Sequence, residues 1–196
     1  MSTNSFFENI SFSRSFTDQV KFIVKDLFFN TGIKYFIYLR GTLDGSISVL
    51  VSQGDFFLDL LEKGLPVSVG FGREYKYLQA YSYWWNDKYP KEIITLAQKH
   101  GLGSGFSLVR RYHNYFEMFG FADSNDAPLT ASSYISCLSG FETFSDHFVR
   151  GGKNIIKQVI EHPLLIPTHQ SIQNPLCTPW HNRTLASIRK KQCAKL

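Results

Sequence analysis

The sequence predicts an α+β fold, an α-β-α sandwich in which a five-stranded antiparallel sheet is flanked by helices. Three observations predict it. Apolar residues recur at helical spacing over residues 15–31 and again over 129–162. The stretch between them holds runs that are aromatic, β-branched or alternating, as half-buried strands are. Two junctions between such runs carry tight-turn residues, Asp44-Gly45 and His113-Asn114, so neighbouring strands pair as hairpins.

Each element has its own warrant. In residues 15–31, Phe16, Val20, Ile23, Val24, Leu27 and Phe28 form one stripe, with Asp18, Lys21 and Lys25 off it. Ser15 is placed to cap that helix and Gly32 to end it. Ile33–Arg40 and Ser46–Ser52 read as the first two strands around the Gly41–Gly45 turn. Gly54–Lys63 reads as a short helix with Phe57, Leu60 and Leu61 on one face and Gly64 after its end. Pro66, Gly70 and Gly72 make Leu65–Arg73 a loop. Tyr77–Trp84 is the third strand. Pro90 suits a first helical position and opens a helix over Lys91–His100. That helix runs into the clearest feature of the chain, the hairpin of Gly105–Tyr112 and Tyr115–Asp123.

Leu129–His162 reads as mostly helical. Thr130 caps it, Gly151-Gly152 kinks or splits it, and Pro163 ends it. The order α-ββ-α-β-α-ββ-α(α) is that of a PAS- or GAF-like sandwich. Residues 1–167 form one domain in this reading, and 168–196 an irregular basic tail.

The bulk composition narrows the function. The chain has 196 residues, a hydrophobic fraction of 43% and an aromatic fraction of 16%. Those rings either pack a Phe-rich core or wall a cavity for an apolar ligand. The net charge is +5, but Arg183, Arg189, Lys190, Lys191 and Lys195 fall in the tail, where no acid follows residue 180. The body is near neutral, so direct nucleic-acid binding is not expected. Three cysteines at irregular spacing argue against a disulfide framework. No apolar leader or membrane-length run is present, which makes a cytoplasmic protein with no membrane association the expectation.

No catalytic signature emerges. Gly101-x-Gly103-x-Gly105 follows a helix and opens a strand, the reverse of a dinucleotide loop. Cys177, His181 and His169 do not make a zinc set, and Cys137 and His147 are too far apart on one helix to act as nucleophile and base. The expectation is a protein that is not an enzyme, with no cofactor, no metal and no catalytic residue. Glu117 sits in a strand among aromatics, as a sheet-surface charge or as a polar anchor inside a pocket. The cluster Tyr75, Tyr77, Tyr81, Tyr83, Trp84, Trp85 and Tyr89 suits core packing, a dimer surface or a ligand wall.

The helix leading into Gly101–Gly105, the segment Gly105-Phe106-Ser107 and the run Glu117-Met-Phe-Gly-Phe-Ala-Asp carry a resemblance. Together with the Phe148–His162 helix and its Leu164-Leu165-Ile166-Pro167 exit, they look like the autoinducer-binding sensor domain of LuxR-type quorum-sensing transcription regulators, over roughly residues 15–167. The resemblance implies a ligand between the sheet and one helix layer. In that family a Trp, a Tyr four residues on and then an Asp-Pro anchor the ligand's polar head. Phe56 stands here in the Trp slot and Leu60 in the Tyr slot, with no Asp-Pro between Gly64 and Tyr83. A later family Trp matches Trp84 or Trp85. Losing three polar anchors points away from an ordinary acyl-homoserine lactone.

The ligand-lining set that follows is Phe56, Leu60, Tyr81, Trp84, Trp85 and Phe106. The family's C-terminal helix-turn-helix domain has no counterpart motif after Pro167. The expected partners are a small apolar or amphipathic ligand and a second protein chain, in a homodimer or a heterodimer with a full-length regulator. The alternative function is a ligand-free interaction module that dimerises with and modulates such regulators through the aromatics around Tyr75–Trp85.

Overall fold

The computed structural model describes residues 11–42, 46–63, 65, 80–85 and 89–165, without the side chains of Ala80, Tyr81, Tyr83, Trp84, Ala131 and Leu165. The Asp44-Gly45 turn, most of the Leu65–Arg73 loop and the basic tail lie outside the described residues. Helix α1 spans Thr17–Thr31 and ends at Gly32, whose φ of 75° suits a residue without Cβ. Ser15 does not cap it. Its hydroxyl donates instead to the Phe12 carbonyl at 2.7 Å, and Phe16 takes the cap position.

Strands β1 (Ile33–Thr42) and β2 (Ser46–Val51) precede helix α2 (Gly54–Glu62). Strand β3 (Ala80–Trp84) and helix α3 (Lys91–Lys99) lead into β4 (Leu102–Arg111) and β5 (Tyr115–Ser124). The predicted C-terminal helical stretch is three helices: α4 (Ala131–Ser136), α5 (Leu138–Gly151) and α6 (Lys153–Glu161). Thr130 caps α4 by accepting from the Ser133 N–H at 3.2 Å, and the glycine pair separates α5 from α6.

The sheet is antiparallel in the order β3-β4-β5-β1-β2-β6. Four strands, β4, β5, β1 and β2, form its continuous centre, and two shorter strands edge it. The expected count of five is therefore corrected. The sixth strand, β6 (Leu164–Leu165), pairs with Ser46 and Ile47 at the start of β2. Two residues after a proline carry no period, so nothing local marks them as a strand.

Alternation along each strand feeds two cores. One face sends Tyr35, Ile37, Leu39, Val49, Val51, Val109 and Met118 toward α2 and α3. The other sends Phe36, Tyr38, Leu50, Leu108, Phe119 and Phe121 toward α1 and α4–α6. A bulge in β1 breaks the alternation once. Ile33 pairs with Asp123 and Tyr35 with Ala122, so two steps on β1 answer one on β5. Ile33 consequently enters the α1 core while Tyr35 enters the α2–α3 core.

Candidate functional site

A small chamber lies between the sheet and helices α2 and α3. Tyr35, Ile37 and Met118 form its floor, Phe56 and Leu60 of α2 one wall, and Ile93 of α3, Tyr89 and Trp85 the other. Helix α2 presents Phe56 and Leu60 together because residues four apart share a helix face. The free volume is about 20 Å³. Ligand sites for drug-sized molecules are of the order of 300–1,000 Å³, so the chamber is nearly filled by its own walls.

Trp85 lies flat against the sheet in that wall. A Cβ built on Gly105 would overlap its fused-ring atoms, and one on Gly120 would lie 3.2 Å from its Cζ2. The two glycines, on adjacent strands, make a flat bed for the indole. At the same level Ser107, opposite Gly120 and fully buried, accepts the indole N–H at 2.8 Å. Tyr35 and Tyr89 meet the ring edge-on, at centroid distances of 6.2 and 5.5 Å, and Tyr35 also meets Phe56 at 5.3 Å. The Tyr35 hydroxyl is buried and has no hydrogen-bond partner among the described residues. Burial pushes its pKa well above the usual phenol range, so it is a donor.

Of the six residues expected to line a ligand, the structure brings three together: Phe56, Leu60 and Trp85. Trp85, 4% exposed, is the indole on the chamber; it is not part of an exposed aromatic surface. The side chains of Tyr81 and Trp84 lie outside those described, and their backbones pair with Val109 and Phe106. Phe106 belongs to the opposite core, its ring tilted against those of Tyr134 and Phe141. It follows Gly105 directly, and adjacent strand residues point to opposite faces. The sequence reading missed Tyr35, Ile37, Ile93 and Met118, and singled out Tyr89 only within the cluster of seven aromatics. Strand alternation offered a signal for the odd-numbered β1 residues, but the bulge at 33–35 hides the phase.

Glu117 is neither a surface charge nor part of the chamber. It is 5% exposed on the α1 side of the sheet, where it accepts from Tyr38 at 2.8 Å and Tyr112 at 3.2 Å. Asp123, also buried, accepts from the backbone N–H groups of Ser104 (2.7 Å) and Leu129, tying the start of β4 to the loop before α4. Burial raises its pKa against the lowering effect of those bonds.

A wider surface cleft of about 290 Å³ lies at the N-terminus of α2, between Arg14, Lys21, Gln53 and His100. Its polar groups are largely used: Arg14 pairs with Asp55 at 2.8 Å, and His100 Nε2 lies 2.9 Å from an Asp59 carboxylate oxygen. An apolar molecule gains little there compared with the aromatic chamber. Among the described residues, no group of three His, Cys, Asp or Glu could hold a metal, and no helix is long and apolar enough to cross a membrane.

No family model matches the sequence, and no curated protein matches it. Solved structures do. An N-acylhomoserine lactone dependent LuxR-family transcription factor, CepR2 of Burkholderia cenocepacia, superposes with a TM-score of 0.51 at 14% identity, over 71% of this chain and 93% of that one. SdiA in complex with octanoyl-rac-glycerol superposes at 0.53 and 10% identity, over 100% of this chain and 80% of that one. A further SdiA structure, from Escherichia coli, gives 0.48 at 9% identity over 97% and 80%. The chain has the fold of the LuxR-family autoinducer-binding domain, and the resemblance read from the sequence holds at the level of the fold.

Proposed function

We propose that this chain is a LuxR-type sensor domain whose small-molecule ligand enters the chamber between the sheet and helices α2 and α3. One observation carries the reading: a cluster of aromatic side chains encloses a cavity on the α2–α3 face of the sheet, within the fold of autoinducer-binding domains. The chamber is nearly filled by its own walls, so a ligand larger than a few atoms takes its place by displacing Trp85 from the Gly105–Gly120 bed. The conformational cost of that displacement is met by the ligand's own apolar burial.

The expected ligand is apolar or amphipathic. Phe56 and Leu60, where the family carries hydrogen-bonding residues, make an ordinary acyl-homoserine lactone a poorer match than a neutral chain-bearing molecule like the octanoyl-rac-glycerol named for SdiA. Residues 1–167 act as the sensor unit and 168–196 as a tail in this proposal. The protein is cytoplasmic and regulatory rather than enzymatic, and works in a homodimer or with a full-length regulator.

Native mass spectrometry of the purified protein, followed by solvent extraction, tests it. A reproducible added mass released by solvent is the expected result. Titration with octanoyl-rac-glycerol should quench and shift Trp fluorescence, and Trp85→Phe should alter that response. A protein that carries no added mass and ignores octanoyl-rac-glycerol and N-octanoyl homoserine lactone at millimolar concentration is not a sensor of this kind.

A further inference from the structure

We propose that Tyr35 decides which molecules the chamber accepts, by requiring of them an uncharged hydrogen-bond acceptor that meets its hydroxyl. This deepens the sensor reading and rests on it. Tyr35 is 1% exposed and lines the chamber, yet its hydroxyl has no partner among the described residues. Native folds avoid a buried donor without an acceptor, and a phenylalanine would make the same edge contacts with Phe56 and Trp85. The hydroxyl therefore contributes nothing to the packing and is left to serve something else. The β1 bulge strengthens the point, since it is the irregularity that turns position 35 into this core instead of leaving it on the face of Ile33.

The rest of the wall sets the chemistry. Ile37, Phe56, Leu60, Ile93 and Met118 bring aliphatic, aromatic and thioether surface. With the ring seated, the indole N–H of Trp85 is held by Ser107. Among the described residues, no Lys, Arg, His, Asp or Glu lines the chamber. A ligand thus meets a donor from Tyr35 and no cation to balance an anion, so a ketone, ester or amide oxygen fits and a carboxylate does not. The phenol stays protonated at any working pH, because burial disfavours its charged form.

A matched pair of probes tests this on the full chain: octan-2-one and 2-methyloct-1-ene, which differ by a carbonyl oxygen against a methylene. Binding is followed by NMR through the Trp85 indole N–H. The ketone should bind the wild type about fivefold to tenfold more tightly than the alkene, the worth of one net hydrogen bond. Tyr35→Phe should bring that ratio to about one. The same ratio in both proteins overturns the role of Tyr35 and leaves the chamber standing. No binding of either probe to either protein overturns the sensor reading together with this one. Octanoate binding as tightly as the ketone overturns the requirement for an uncharged group. Independently of any probe, the urea midpoint of Tyr35→Phe should equal or exceed that of the wild type. A lower midpoint would mean that the hydroxyl is already bonded in the folded chain, and would refute the proposal.

Discussion

Replacing Gly105 with Ala sets one methyl group against the Trp85 indole. The added Cβ would overlap Cδ2, Cε3 and Cε2, atoms at and beside the fusion bond of a rigid ring. Retreat is costly, since Tyr35 and Tyr89 stand at its edges and Ser107 holds its N–H at 2.8 Å. Overpacking of this kind costs about 1–3 kcal/mol. Shifting the ring far enough to relieve the overlap sacrifices the Ser107 bond, worth about 1 kcal/mol more. The expected destabilisation is therefore about 2–4 kcal/mol.

Trp85→Ala alone should cost about 3–5 kcal/mol, as large-to-small changes in a core do. In that background the methyl at 105 has open space, and Gly105→Ala should be neutral or stabilising by about 0.5 kcal/mol, because a strand glycine loses more backbone entropy than alanine. The double-mutant cycle then yields a coupling of about 2–4 kcal/mol, in the upper part of the usual range for residues in contact or beyond it. Urea unfolding followed by far-UV circular dichroism measures it, with the slope checked so that only the midpoint changes. If Gly105→Ala costs the same with and without Trp85, the indole does not lie on Gly105 and the account of how the chamber is closed fails.

Other expectations follow from the two faces of the sheet. Phe106→Ala should lower stability by about 3–5 kcal/mol while leaving octan-2-one affinity unchanged, whereas Phe56→Ala should weaken both, as paired unfolding and binding titrations would reveal. Glu117→Ala leaves the buried Tyr38 hydroxyl without its acceptor and should cost about 1–3 kcal/mol by urea denaturation; an unchanged midpoint would place Glu117 in solvent. Asp123→Asn keeps one acceptor oxygen for two backbone donors and should cost about 1–3 kcal/mol, read against pH. The native carboxyl titrates above its unfolded value of 3.8, so the folded state binds the proton more tightly and Asp123's contribution falls as pH rises through the window just above 3.8. The stability gap between wild type and Asp123→Asn should shrink across that window, and a gap that widens would reverse the assigned shift.

Much of the element order was legible in the chain, because the signals involved are local. Gly32 ends α1, Thr130 caps α4, Pro163 follows α6, and the 105–123 hairpin stands where its aromatic runs and turn residues put it. These depend on a few neighbouring residues and on backbone sterics. The likeness to autoinducer-binding domains came from the same short stretches. The aromatic load pointed to a ring-walled cavity without saying which rings.

What only the tertiary structure decided is pairing and phase. β1 pairs with β5, and Leu164–Leu165 closes the edge beside β2, which are long-range choices with no local mark. Phase follows from pairing: one residue of register exchanges the two faces of a strand. That single step puts Phe106 behind the sheet while Gly105 supports Trp85, and the bulge after Ile33 turns Tyr35 into the chamber. Sequence alone left Trp84 and Trp85 as equal candidates. Burial against the Gly105–Gly120 bed, set by strands twenty and more residues away, is what seats Trp85 there.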